Sequence, residues 1–94
     1  MAGSLEEKTD QYEQLLAAAL DEATETAPAE TPLASAAADC REMAESYLHD
    51  GRYFREQDDL VNALASFSYG YGWLDCGVRM GLFSIPEETE LFTM

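Results

Sequence analysis

The apolar residues of the chain recur at helical spacing in three segments. The first predicted helix covers about residues 5–23, and Ser4 with Glu7 three residues later forms the capping-box pattern of a helix start. Apolar residues on a single stripe are typical of a helix that packs on one side. The stripe contains Leu5, Tyr12, Leu15, Leu16, Ala19 and Ala23.

The second predicted helix covers about residues 33–57 and the third about residues 60–80. The second helix has one stripe: Leu33, Ala36, Cys40, Met43, Ala44, Tyr47, Gly51 and Phe54. The third has an inner stripe: Leu60, Ala63, Leu64, Phe67, Tyr71, Leu74 and Val78. It also has an outer stripe on the opposite side: Ala65, Tyr69, Trp73, Cys76 and Met80, with Phe83 just beyond. A helix that is apolar nearly all round is buried on more than one side.

Turn-forming residues separate the helices. Residues 24–32 contain two prolines and predict a loop. Asp58 and Asp59 predict a tight turn, because Asp tolerates the left-handed conformation and also caps helix starts. Gly81 is a natural C-cap of the third helix, and residues 84–94 form a tail that is either disordered or lies across the bundle. We therefore predict one domain over residues 1–94, an all-α, up-down-up antiparallel three-helix bundle.

The charge balance adds information about the surface. The 94 residues include 19 Asp and Glu against five Lys and Arg, for a formal net charge of −14. Two interpretations remain open: adaptation to a high-salt cytoplasm, or an acidic face that recruits a basic partner. The acids are spread along the chain, which favours the first and predicts that monovalent salt is needed for stability. We expect no nucleic-acid partner, because such proteins concentrate Lys and Arg.

We expect a cytoplasmic protein without membrane attachment. No apolar run approaches the ~20 residues of a membrane span. The N-terminal residues turn acidic at once and lack the apolar core of a secretory signal. The two cysteines, Cys40 and Cys76, are too few for a disulfide framework, and Cys76 points away from the inner stripe. We expect two free, buried thiols.

Residues with catalytic potential are few. His49 is the only histidine and falls on the polar face of the second helix, so we expect a surface histidine and neither a metal site nor a cofactor. Asp75 lies in an otherwise apolar helix, and an ion pair with Arg79 one turn later explains it most simply. The alternative is a pocket around Tyr71, Asp75 and Arg79 that serves an enzyme or a small-ligand-binding subunit.

The outer stripe of the third helix is the strongest functional indication. The candidate interface residues are Tyr69, Trp73, Cys76, Met80 and Phe83, because the centres of protein interfaces favour Tyr, Trp, Phe and Met. Two explanations remain open: the tail covers this stripe, or a partner protein does. The tail is too short to cover the whole stripe, which favours a partner.

Part of the chain resembles a known family. The matching residues are Tyr47, Asp50, Tyr53, Phe54, Asp59, Leu60, Ala63, the run Tyr69-Gly70-Tyr71-Gly72-Trp73-Leu74-Asp75, and Gly81-Leu82-Phe83. They lie within residues 44–83, a little under half of the chain, and this stretch is similar to domain of unknown function family 357 (DUF family 357). Asp58 stands where the family pattern has Gly. The resemblance implies an archaeal three-helix bundle, and the acidity together with it implies a haloarchaeal one. It brings no activity, cofactor or catalytic residue.

These observations predict a small interaction or oligomerisation module that is not an enzyme. It acts either as a homodimer or as a helical partner of another cytoplasmic protein. The alternative function is that of an enzyme or ligand-binding subunit. An apolar patch on the outer side of the third helix favours the first function, and a concave site that converges on Asp75 favours the second.

Overall fold

Three helices make up most of the chain. In the computed structural model, which describes residues 4–92, they are α1 (Leu5–Glu22), α2 (Pro32–Glu56) and α3 (Leu60–Arg79). Two short strands, β1 (Thr24–Glu25) and β2 (Phe83–Ser84), lie outside the helices. The helices form an up-down-up antiparallel bundle, in which α3 contacts both α2 and α1. The predicted all-α fold is confirmed, and each helix begins and ends within one residue of its expected bounds.

Side-chain caps begin the three helices. Ser4 and Thr31 accept hydrogen bonds from the backbone N–H groups three residues later, and Asp59 does the same at the start of α3. Each bond satisfies an N–H group that has no partner within its helix. Pro32 is the first residue of α2, where its missing N–H is no loss. The helix therefore starts one residue before the expected position.

The connection between α2 and α3 is the predicted tight turn. Asp58 adopts a φ of 59°, in the left-handed region. The backbone N–H of Asp59 donates to the Phe54 carbonyl at 2.8 Å and closes the end of α2. A positive φ just after a helix C-terminus is a position that favours Gly, and Asp is one of the few other residues that tolerate it.

The core lies between the helices and combines a few large side chains with many small ones. Its fully buried apolar residues are Leu16, Ala19, Ala37, Ala44, Ala63, Phe67 and Leu74. Gly51 of α2 makes room for the Phe67 ring, since a Cβ at that position would lie 2.2 Å from a ring carbon. A Cβ at Gly70 would lie 2.7 Å from Leu16 and 3.2 Å from the Ala44 carbonyl oxygen. These glycines let α3 pack closely against its neighbours.

The two strands join the connection after α1 to the segment after α3. They pair antiparallel, Thr24 with Ser84 and Glu25 with Phe83. The Thr26 hydroxyl extends the contact by donating to the Gly81 carbonyl at 3.0 Å. We call this pairing the β-clasp. The β-clasp differs from the sequence prediction, which gives only a loop over residues 24–32.

The chain reverses direction at the end of α3. Gly81 has a φ of 78°, and the N–H of Leu82 donates to the Gly77 carbonyl at 2.8 Å, so the expected C-cap is present. The reversal directs Leu82 and Phe83 into the core, where they are 7% and 4% exposed.

The tail then lies across one flank of α3. The Tyr71 hydroxyl donates a hydrogen bond to the Leu91 carbonyl, and the rings of Tyr71 and Phe92 stack with their centres 5.7 Å apart. Of the two alternatives for the tail, the one in which it lies across the bundle therefore holds up to Phe92. Met94, the last apolar residue of the tail, lies outside the described residues.

All four arginines bind within the chain. Arg41 donates to the carbonyls of Leu20 and Ala23 at the end of α1, and its guanidinium lies 5.5 Å from the Phe83 ring centre. The others form ion pairs: Arg52 with Glu13, Arg55 with Asp10 and Glu13, and Arg79 with Asp75. Within residues 4–92, no helix is long and apolar enough to cross a membrane.

Candidate functional site

The outer side of α3 exposes large apolar side chains. Val61 is 67% exposed, Tyr69 66%, Trp73 40% and Met80 71%. Cys76 is exposed on the same side. We call these five residues the α3 outer face. Four of the candidate interface residues thus lie on one side of α3. Val61, which is not in the candidate set, extends the exposed apolar surface toward the start of the helix, because its position after Leu60 turns it away from the inner stripe.

Phe83 does not belong to this face, which corrects the set of candidate interface residues. It is 4% exposed and packs against Gly77, where a Cβ would lie 2.5 Å from the Phe83 ring. The physical reason is the positive φ of Gly81, which turns the chain back before Phe83 and carries the ring to the core side. Helical periodicity does not extend past such a reversal.

A shallow groove of about 350 Å³ lies at the centre of the α3 outer face. It is lined by Ser68, Tyr69, Gly72, Trp73 and Cys76. A Cβ at Gly72 would meet nothing within 4 Å, unlike one at Gly70. A mid-helix glycine costs about 1 kcal/mol relative to alanine. No contact within the described chain compensates this cost at Gly72.

The side chains of the α3 outer face are mainly apolar. Its ionisable groups are the Tyr69 hydroxyl and the Cys76 thiol. The Tyr69 ring lies beside that of Tyr47, with centres 5.8 Å apart, so the apolar surface continues onto α2. Aromatic rings and Met offer apolar area together with adaptable shape, which suits contact with another apolar surface.

The two thiols are free but differ in exposure. Cys40 is half-buried on α2 and Cys76 is exposed. The expectation of two buried thiols is therefore wrong for Cys76, because the described part of the tail lies on the opposite flank of α3, at Tyr71. Burial raises the pKa of the Cys40 thiol, and the negative charges of the Cys76 thiolate and Asp39 raise it further.

The alternative site around Tyr71, Asp75 and Arg79 is occupied by contacts within the chain. Arg79 donates to Asp75 at 3.2 Å, which is the simple ion pair that the sequence predicts. The tail holds the hydroxyl and the ring of Tyr71. Burial raises the pKa of Tyr71, and the charge of Asp75 raises it further, so the group remains a neutral donor.

His49 lies on the surface of α2, as expected. Its side chain is 86% exposed, with Asp50 at 3.7 Å. A shallow depression beside it is lined by Glu45, Leu48, His49, Arg52, Tyr53 and Glu56. Among residues 4–92, no three His, Cys, Asp or Glu side chains are grouped so as to hold a metal ion.

Comparison with known families identifies the chain. A family model described as "Protein of unknown function (DUF357)" matches residues 11–83. The chain belongs to the DUF357 family. The DUF357 match covers more than three quarters of the chain and is wider than the resemblance visible in residues 44–83, since it includes most of α1. No curated protein and no solved structure matches the chain.

The whole α3 outer face lies within the DUF357 match. The tail residues Leu91 and Phe92, which contact Tyr71, lie beyond it. The exposed face therefore belongs to the unit that the family model describes, and the tail contact is an addition to that unit.

Proposed function

We propose that this DUF357 protein is a non-enzymatic protein-interaction module that binds its partner through the α3 outer face. The observation that supports the proposal most is the exposure of Tyr69, Trp73 and Met80 side by side on a strongly acidic chain. Burial of apolar surface contributes roughly 25 cal/mol per Å². Contact with a partner at this face is therefore favourable, and an aromatic-rich centre is typical of interfaces.

The arginines indicate the chemistry of the partner. Because all four are held by carbonyls or carboxylates of the same chain, few cations remain to attract an anionic ligand. The surface offers a group of large apolar side chains on α3, and single ones at Leu5, Leu33 and Tyr53, on a chain of net negative charge. An apolar protein surface fits this arrangement better than a nucleic acid or a phosphate-bearing ligand.

The proposal includes the setting of the protein. We infer that it works in the cytoplasm of a salt-accumulating archaeon. The net charge of −14 and the spread of the acids along the chain support this inference, since concentrated salt screens the repulsion among them. Free thiols agree with a reducing compartment.

Co-purification with matched variants tests the proposal. We would express the tagged chain in cells of its source at native salt, as wild type, Trp73→Glu and Tyr53→Glu. Tyr53 is 54% exposed on α2, so both variants place a charge at a half-exposed aromatic. We expect one binding protein, or an untagged copy of the chain, to be recovered with wild type and Tyr53→Glu and lost with Trp73→Glu.

The same proteins recovered with all three chains would contradict the proposal. Circular dichroism of both variants first shows that each remains helical. The comparison then reports on the surface and not on unfolding.

A further inference from the structure

We infer that the partner is a second copy of this chain, docked α3 against α3 about a two-fold axis that passes beside Gly72. This inference rests on the proposed interaction function and names the partner of the same face. It follows from the distribution of charge, the shape of the groove and the size of the face.

The distribution of charge leaves one long stretch of α3 where two copies could pack together without bringing like charges face to face. Residues 60–74 contain no charged side chain, although the chain carries a net charge of −14. Asp75, the next acid along α3, is paired with Arg79. A basic partner would find no carboxylate on α3 across residues 60–74, whereas a second copy presents the same uncharged surface.

The groove on one copy has a shape that can accept the side chains beside the same groove on a second copy. Gly72 leaves an opening in the surface, since a Cβ at this position would meet nothing within 4 Å. The side chains of Trp73 and Tyr69 lie beside this opening. A two-fold axis places the projecting ring of each copy over the opening of the other. One patch thus supplies both the ring and the opening, as a two-fold interface requires.

The size of the face predicts weak association. Helix α3 has 20 residues, which corresponds to about 30 Å. With side-chain areas of about 150–250 Å² for the aromatic residues, the exposed parts of the face amount to roughly 500 Å² per copy. The total of about 1,000 Å² lies at the lower end of specific interfaces. The dimer should therefore be concentration-dependent and tighten with salt, which screens the repulsion between the two acidic chains.

Sedimentation equilibrium tests the inference with the full chain from low to multimolar KCl. We expect wild type and Tyr53→Glu to show the same monomer–dimer equilibrium, tighter at high salt. Trp73→Glu should weaken it by about tenfold or more.

Gly72→Ala should change stability and association in opposite directions, which a role of Gly72 in the fold alone would not produce. In the monomer the added methyl group enters open space and favours the helix, so the thermal midpoint of a dilute sample should rise by about 4–8 °C. In the dimer the methyl group fills the opening, so association should weaken by about tenfold. A variant that stabilises the chain and also strengthens or leaves unchanged its association would overturn the inference.

Cross-linking locates the contact. In a Cys40→Ser background, Cys76 is the remaining thiol and lies on the α3 outer face. A short bifunctional maleimide should join two copies of the Cys40→Ser chain through Cys76. It should fail to join them when Trp73→Glu is added. A dimer that persists in Trp73→Glu and Gly72→Ala uses another surface and contradicts the inference.

A wild type that stays monomeric at every concentration and salt also contradicts it. The proposed interaction function is then judged separately by the co-purification experiment. A different protein that is recovered with wild type and lost with Trp73→Glu would support that function without self-association.

Discussion

The side chains of this protein differ in how many contacts they make with the rest of the chain. Arg41 donates to two carbonyls at the end of α1 and lies against the Phe83 ring, while Trp73 is 40% and Met80 71% exposed. With four arginines in an acidic chain, the loss of any one removes a contact and makes the net charge more negative. Of the seven exposed large apolar side chains among the described residues, four lie on α3 or at its C-cap.

The turn residue Asp58 is predicted to be replaceable by Gly with a gain in stability. Its φ of 59° is costly for a residue with a Cβ, and its charge lies at the negative end of the α2 dipole. Asp58→Gly should raise the free energy of unfolding by about 1 kcal/mol. Denaturant unfolding measures the change. Asp58→Asn removes only the charge, so a gain of equal size in that variant would assign the effect to electrostatics and contradict the backbone argument.

The two thiols are predicted to react at different rates. The unreduced, unfolded chain should show two alkylated cysteines by mass spectrometry. In the folded chain Cys76 should react first, because it is exposed and because the raised pKa of Cys40 reduces its thiolate fraction. The rate at Cys40 should keep rising with pH beyond the ordinary thiol pKa, because burial raises the pKa of this thiol. Equal rates and equal pH profiles would refute the assigned environments.

At the scale of elements, α3 is the centre of the molecule. Its inner side packs on α1 and α2, one flank carries the tail at Tyr71, and its outer face is open. The tail and the outer face therefore lie on different sides of the same helix. A contact at one side leaves the other side free.

The tail contact is predicted to stabilise the bundle in a pH-dependent way. Tyr71→Phe removes the hydrogen bond to Leu91 and should cost about 1 kcal/mol. Because burial raises the pKa of Tyr71 above its usual value of 10.0, the folded chain retains this proton after the unfolded chain has lost it. The contribution is thus complete below pH 10 and decreases as pH rises through the folded pKa.

Thermal unfolding of wild type and Tyr71→Phe between neutral pH and pH 11 measures this effect. Phe92→Ala, which removes the stacked ring, serves as the companion variant. If the difference between wild type and Tyr71→Phe stays constant above pH 10, the assigned pKa shift is wrong.

Much of the helical architecture could be predicted from local sequence, and the contacts between distant segments could not. The periodicity of Leu16 with Ala19 and of Phe67 with Leu74 marks helix faces that are in fact buried. The β-clasp joins two-residue strands far apart in sequence, which leave no periodic signal. The placement of Phe83 depends on one positive φ at Gly81, so four of the five candidate interface residues are exposed and Phe83 is not.

At the scale of the whole molecule, repulsion among carboxylates opposes compaction. The ion pairs of Arg52, Arg55 and Arg79 involve three of the 19 Asp and Glu residues: Asp10, Glu13 and Asp75. Exposed ion pairs of this kind each contribute about 0–1 kcal/mol. We therefore expect screening by solvent ions to change the stability of this chain more than the loss of any single pair.

Stability is predicted to rise with KCl. The thermal midpoint should increase from low to multimolar KCl, because a Debye length of about 3 Å at 1 M removes most of the repulsion. Sucrose at matched osmolality is the control for general solvent exclusion. A chain with Glu6, Glu42 and Glu88 replaced by Gln should show a smaller salt effect. A flat or falling midpoint in wild type would reject the high-salt interpretation and favour a basic partner.

The β-clasp also has a kinetic consequence. Glu25 and Phe83 are 58 residues apart, so their pairing closes a long loop. The chain loses the conformational entropy of that loop before the contacts at the β-clasp can offset the loss. The α2–α3 hairpin, closed by the short turn at Asp58, forms from contacts that are local in the chain. Folding should therefore begin at this hairpin and end with the docking of α1 and closure of the β-clasp. In the reverse direction, the β-clasp and α1 should open first, and their amide hydrogens should exchange before those of α3.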